Sequence, residues 1–174
     1  MWVFGYGSLM GDGWESQFRC TRRERAVLAG YRRAFNKASV RNWGTKARPC
    51  PTLNVVKSDS SSCPGIAFEF PSEVGPRVRA YLADREGKGF GLHALAVRLD
   101  SSEIVDALVP LYAGPNLLPE ENLETIATMI VGTSGKDGSG VEYVDRVANE
   151  LLKVSIDDPV VTELKLVVGR LDWP

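Results

Sequence analysis

The apolar pattern of this 174-residue chain turns from mostly strand-like to helical near residue 115, and that change limits the folds open to it. Up to residue 112 most apolar residues alternate with polar ones or form short runs, the mark of strands buried on one or both faces. Residues 1–7 begin with the buried run Trp2, Val3 and Phe4. Residues 26–38 are open to strand or helix; alternation of Val27, Ala29, Tyr31, Arg33 and Phe35 against Leu28, Gly30 and Arg32 leans toward an extended strand. Residues 52–57 predict a short strand and residues 58–64 a polar turn. Residues 63–70 predict a firmer strand, with Ile66, Phe68 and Phe70 on one face and Ala67 and Glu69 on the other. Leu95, Val97 and Leu99 share a face with His93, and residues 104–112 form a last apolar run before Gly114-Pro115.

One helix interrupts these strands. Val74, Val78, Tyr81 and Leu82 follow helical spacing, with Ser72 as N-cap, Pro76 in the first turn and Gly87 as terminator. Beyond residue 115 only helices are expected. The first opens at Pro119, carries Leu123, Ile126, Ala127 and Ile130, and closes at Gly132. After a glycine-rich loop over 132–140, residues 141–154 place Val144, Val147, Ala148, Leu151 and Leu152 on one face. The last helix starts at Asp158-Pro159 and runs through Leu164, Val167, Val168 and Leu171. Strands first and helices last make an α+β fold rather than a βαβ series. With no internal repeat and no long linker, residues 1–174 read as one domain.

Charge and cysteine usage narrow the function. Twenty-one basic and 22 acidic residues leave a formal charge of −1, so net charge points to neither nucleic acid nor a membrane surface as partner. Three cysteines (Cys20, Cys50 and Cys63) without a Cys-x-x-Cys pair argue for a reduced setting and against a disulfide framework. A single histidine, His93, excludes multi-histidine metal sites, and no metal is expected. No basic-then-apolar leader and no long apolar span is present, so a soluble, cytoplasmic protein is expected.

The strongest local motif is Val3-Phe4-Gly5-Tyr6-Gly7-Ser8-Leu9. A strand that stops at two glycines, one residue apart, gives a tight loop lined with amides, suited to a carboxylate or a developing oxyanion. An ordinary glycine turn between strands fits the same spacing. The dinucleotide reading fails, since the glycines fall at 5, 7 and 11 and poor helix formers follow. Ser8 lacks the glycine two residues on that a nucleophile elbow requires, and residues 135–140 miss the P-loop spacing. A nucleotide-dependent enzyme is therefore the weakest of the competing readings.

Among the carboxylates Glu86 stands apart, at the end of the predicted helix and beside Gly87 and Gly89. The negative end of the helix dipole, with burial, pushes such a carboxyl up toward the range of a general base at neutral pH. A surface glutamate offset by Arg85 and Lys88 is the plain alternative.

Taken together, the glycine loop and Tyr81-Leu82-x-x-Arg85-Glu86, about 80 residues on, resemble the γ-glutamylcyclotransferases, most closely the ChaC branch. Further points of resemblance are Arg32-Arg33 with Phe35, Ser39 and Gly44, the strand Pro64-Gly65-Ile66-Ala67-Phe68, and a helical tail. In the tail they are Ile126-Ala127, Gly132-x-Ser134-Gly135, Glu142-Tyr143 and Asp158-x-x-Val161-x-x-Leu164. Two stretches depart from the branch. Arg85-Glu86-Gly87-Lys88-Gly89-Phe90 stands for Arg-Glu-Lys-Gly-Gly-Tyr, and Arg41-Asn42-Trp43-Gly44 stands for Asp-His-Arg-Gly.

The resemblance implies a γ-glutamylcyclotransferase-like fold, a small mixed barrel-like sheet with helices packed around it. It implies cofactor-independent cyclisation of a γ-glutamyl substrate, glutathione in this branch, to 5-oxoproline with release of the amine. Glu86 takes the general acid/base role. Val3, Phe4, Gly5, Tyr6, Gly7, Ser8 and Leu9 hold the γ-glutamyl group, and Tyr143 lines the substrate pocket. The Glu86 carboxylate is expected to face the amides of residues 5–9 across one small cavity. A non-catalytic member that binds γ-glutamyl ligands is the alternative within the same fold.

Overall fold

The structure, a computed structural model, describes residues 1–119 and 121–171. Five strands close into a barrel: β1 (Trp2–Gly5), β2 (Arg22–Ser39), β3 (Cys50–Glu69), β4 (Phe90–Leu99) and β5 (Ile104–Tyr112), in the order β1-β3-β2-β4-β5. The short strand β1 pairs antiparallel with β3, Phe4 opposite Ala67, and parallel with β5, Trp2 opposite Ala107. Helix α1 (Gly75–Glu86) links β3 to β4, and α2 (Leu123–Val131), α3 (Gly140–Lys153) and α4 (Pro159–Leu171) follow β5. The α+β order read from the sequence is the order found.

The chain forms two compact units. Met1–Arg32 with Val55–Pro115 make the first, and Arg33–Asn54 with Asn116–Pro174 the second. In the first unit Val3, Phe4, Ile66, Ala67, Phe68, Val97, Leu99, Ala107 and Val109 are buried. Consecutive burial of Ile66, Ala67 and Phe68 shows that this part of β3 is covered on both faces. Trp14 supplies part of that cover, packing edge-on against Phe68 at 5.6 Å between ring centres. Helix α1 begins with Pro76 in its first turn and buries Val78 and Leu82. Ser72 opens a short 3-10 turn ahead of it and makes no side-chain cap.

The second unit is held by helix packing and one interior ion pair. Helices α2, α3 and α4 pack pairwise, burying Ala127 and Ile130, Val144, Val147 and Leu151, and Val161, Leu164, Val167 and Val168. Ser139 and Glu142 cap α3 reciprocally: Oγ accepts the Glu142 N–H at 3.2 Å, and the Glu142 carboxylate accepts the Ser139 N–H at 2.6 Å. The Ser139 N–H, with its hydroxyl, holds the Glu142 carboxyl below the ordinary range. Asp158 caps α4 by accepting the Val161 N–H at 3.3 Å and receives the buried Arg33 guanidinium at 2.6 Å. Two elements 125 positions apart in sequence, β2 and the start of α4, are thereby joined.

Four expectations need correction. Residues 58–64 are not a turn: β3 runs unbroken through them. Membership of a barrel strand outweighs the local turn preference of this Ser- and Asp-rich tract. Helix α2 does not open at Pro119 but at Leu123, where the Asn122 side chain accepts the Thr125 N–H at 2.9 Å. The 132–140 loop carries a small hairpin, β6 (Ser134–Gly135) with β7 (Gly138–Ser139). Finally, Leu152 lies on the solvent side of α3, 74% exposed, and Leu171 is 47% exposed.

The Arg33–Asp158 pair yields a prediction. Removing one member strands a charge in the interior, which costs about 3–5 kcal/mol. Arg33→Met should lose that much in urea unfolding. The double variant Arg33→Met/Asp158→Leu should cost less than the sum of its two single variants, since it leaves no lone charge.

Candidate active site

The glycine loop is built by close backbone approach. Neither Gly5 nor Gly7 has positive φ, and Gly7 lies at −140°. What Gly5 requires is space: a Cβ there would meet Leu9 Cβ at 2.9 Å. The neighbouring strand makes the same demand. A Cβ on Gly65 would run into the Gly5 carbonyl oxygen and come within 2.6 Å of the Phe4 ring. The main chain therefore turns tightly after β1 into a single 3-10 turn over Ser8–Met10, closed by the Met10 N–H donating to Gly7 O at 2.9 Å.

Side chains around the loop hold it in place. The Tyr6 hydroxyl donates to Pro110 O at 2.8 Å, a buried bond to β5. Trp14 Nε1 donates to Leu9 O at 3.0 Å. The same indole stacks on Tyr81 of α1, with ring centres 5.6 Å apart and planes 8° apart. Val3, Phe4, Tyr6 and Leu9 have buried side chains, so what they offer a ligand is main chain, whereas Ser8 is exposed.

Glu86 is the last residue of α1, as expected. Gly87 terminates the helix with φ 76° and donates its N–H to Ala83 O. The shift of glycine to this position, one of the departures from the branch pattern, puts the left-handed residue directly after Glu86. The Glu86 side chain is 16% exposed. It lines a cleft of about 590 Å³ with Leu82, Ala83, Lys88, Phe90 and Leu92 among its walls. None of residues 5–9 is a wall of that cleft. The connection from Glu86 to the loop runs instead through Arg85.

Sequence reasoning gave Arg85 only the part of an offsetting charge. Its guanidinium takes Asp12 at 2.5 Å, the Tyr81 hydroxyl at 3.2 Å and Ser8 Oγ at 3.4 Å, and its Nε lies 3.8 Å from Glu86 Oε1. Burial works to lower its pKa, but the hydrogen bonds it donates to Asp12 and Tyr81 outweigh that and raise it. Arg85 is thus a fixed cation between the loop and Glu86. The i,i+4 spacing of Tyr81 and Arg85 was the available signal. The part of Asp12 had none, since it lies 73 positions from Arg85 in the sequence.

Tyr143 lies in the second unit, on α3. Its hydroxyl accepts the Leu53 N–H at 2.9 Å, and its ring packs at 5.2 Å from Trp43 and 6.4 Å from Phe35. The Arg41-Asn42-Trp43 stretch is held beside the small hairpin by two main-chain bonds. Lys136 N–H donates to Arg41 O at 2.9 Å, and Asp137 N–H donates to Asn42 O at 2.7 Å. His93 is exposed on β4 and has no place in either cluster.

The ChaC-like protein family matches residues 1–171. This chain belongs to that family. Among proteins similar to this ChaC-like chain is the zebrafish (Danio rerio) glutathione-specific γ-glutamylcyclotransferase 1, 31% identical and covering 91% of this chain and 84% of the relative. Arabidopsis thaliana γ-glutamylcyclotransferase 2-3 is 32% identical, with 94% and 86% covered. The Escherichia coli glutathione-specific γ-glutamylcyclotransferase is 27% identical, with 98% and 74% covered. A crystal structure of the yeast γ-glutamyl cyclotransferase specific to glutathione superposes with a TM-score of 0.84 at 22% identity, covering 98% of this chain and 96% of that one. The fold of the ChaC-like chain is therefore the γ-glutamylcyclotransferase fold expected from the sequence.

The tight glycine geometry predicts the outcome of one substitution. Gly65→Ala forces a methyl against backbone that has no room to yield and should destabilise this ChaC-like protein by about 1–3 kcal/mol. Thermal unfolding should show the loss, and Trp14 fluorescence should change with it, because the indole is bonded to the loop that moves.

Proposed function

We propose that this chain is a γ-glutamylcyclotransferase that converts glutathione to 5-oxoproline and cysteinylglycine, with Glu86 as general acid/base. The observation that carries the site assignment is Arg85. One guanidinium reaches Ser8 and Asp12 on the loop side and lies beside Glu86 on the other. The substrate class rests on the relatives in zebrafish, fission yeast and E. coli, each named as specific for glutathione.

The chemistry is a transfer within one molecule. Glu86 removes a proton from the α-ammonium, and the freed nitrogen attacks the γ-carbonyl carbon. The tetrahedral intermediate then collapses with loss of the peptide nitrogen, which takes the proton back from Glu86, and the second proton of the ring nitrogen passes to the released amine, which leaves as an ammonium. One C–N bond forms, one breaks, and no water is consumed. Holding nucleophile and carbonyl in one conformation supplies much of the rate, since effective molarities for such reactions reach on the order of 10⁵ M or more. Main-chain N–H groups of Gly5, Tyr6, Gly7, Ser8 and Leu9 are assigned to the γ-glutamyl group and its oxyanion. Val3 and Phe4 set the strand end from which the loop departs.

Two wider statements belong to the same reading. Residues 1–174 act as one catalytic domain, supported by a family match that runs through both compact units. The cytoplasm is the proposed compartment, which accords with an odd number of cysteines, two of them buried. No helix among the described residues is long and apolar enough to cross a membrane.

The test is release of 5-oxoproline from glutathione and from a panel of γ-glutamyl amines. Glu86→Gln should lower kcat by about 10²–10⁴-fold with an unchanged circular dichroism spectrum. Tight calorimetric binding of glutathione without turnover by the wild type would overturn the enzymatic reading. Full activity in the Gln variant would remove Glu86 from its role.

A further inference from the structure

The Arg85 guanidinium has four partners from three parts of the first unit, and the proposed reaction itself uses none of those contacts. Asp12 lies in the turn after the loop, Ser8 in the loop, and Tyr81 and Glu86 on α1. An arginine presents donors only. Ser8 Oγ therefore accepts from Arg85, and its own hydroxyl hydrogen is left as a donor. The partner at 2.5 Å is Asp12, so the charge of Arg85 is matched on the loop side before Glu86 feels it.

We propose that Arg85, held by Asp12, is a positioning residue for Glu86: the pair fixes the helix end against the glycine loop and sets how much positive charge the Glu86 carboxylate faces. The inference rests on the reading of Glu86 as the proton-transfer group. Glu86 meets charge from several directions. Arg85 precedes it on α1, and Asp84 and Lys88 line the same cleft. From β4 the cleft receives Phe90 and Leu92, which carry none, and Asp12 acts from the loop side through Arg85. Of these, Arg85 and Asp12 form the close, oriented pair. Burial of more than four-fifths of the Arg85 side chain keeps its field from being screened as a surface arginine's would be.

The sign of each variant follows. An adjacent cation favours the carboxylate, so removing Arg85 moves the Glu86 titration to higher pH. Asp12→Asn keeps a side-chain acceptor for Arg85 but removes the opposing charge, so Glu86 meets a fuller positive charge and titrates at lower pH. In the enzyme, Glu86 as base must be ionised, and the acid limb of kcat/KM against pH moves the same way in each variant. Arg85→Met should also lower kcat by about 10–100-fold through a misplaced loop or carboxylate. Arg85→Lys should restore the titration while recovering kcat only in part, because one ammonium cannot reproduce the fork.

The experiment is a carbon-13 NMR titration of the Glu86 carboxyl, assigned by its loss in Glu86→Gln, in the wild type, Arg85→Met, Arg85→Lys and Asp12→Asn. It is run beside pH profiles of 5-oxoproline release and melting curves. Opposite displacements in Arg85→Met and Asp12→Asn, with the return in Arg85→Lys, are the expected result. A Glu86 titration unmoved in folded Arg85→Met and Asp12→Asn would overturn the proposal and leave Arg85 a structural residue, whatever the loss of rate. A wild type that releases no 5-oxoproline would sink the functional reading alone, because the titration needs no turnover.

Discussion

The tight approach of β1 to β3 at Gly5 and Gly65 is the constraint on which the first unit's site depends. A side chain at Gly65 would collide with Gly5 O, and one at Gly5 would collide with Leu9. With both absent, the chain turns within a few residues of a buried strand and delivers Leu9 O to the Trp14 indole. That indole stacks on Tyr81, and Tyr81 bonds Arg85 one helical turn on. A missing pair of methyl groups is thus passed, contact by contact, to the charged end of α1. Each link is a modest interaction of about 0.5–1.5 kcal/mol. Together they tie the glycine loop to α1 through side chains from three segments of the first unit.

Much of this was legible in the sequence, and what was not has physical causes. An apolar run bounded by Gly114-Pro115 covered the residues of β5, and Gly87 marked the end of α1. Both are local signals, set by side-chain direction and backbone freedom. The serine-rich tract of β3 misled because its turn preference is local, whereas the pairing that keeps it extended comes from strands elsewhere in the chain. Leu152 misled because helical spacing allows a wider apolar face than packing fills. Glu86 could be singled out, since a carboxylate before a glycine terminator is visible in one line of sequence. The parts of Asp12 and Arg85 could not, because they exist only where two distant segments meet.

The second unit shows the same division. The Ser139–Glu142 box lies within four residues and follows from spacing alone. The Arg33–Asp158 pair spans 125 positions. Its burial makes it a specifying contact more than a stabilising one, because desolvating both ions offsets most of their attraction. Motif resemblance can place two such residues in one list without saying that they touch. Here Asp158 both caps α4 and receives Arg33, which is reason enough for its type.

Electrostatics at Glu86 set two effects against each other, and their sizes decide between them. A helix C-terminus disfavours a carboxylate by about 0.3–1 kcal/mol. A cation near 4 Å favours it by on the order of 4 kcal/mol at intermediate dielectric, and Arg85 lies 3.8 Å away with both side chains mostly buried. Asp12, at 2.5 Å from the same guanidinium, removes much of that imbalance. A helix-terminal position therefore does not make a general base by itself. At Glu86 the cationic neighbour, Arg85, is already engaged by a residue from the loop side, Asp12.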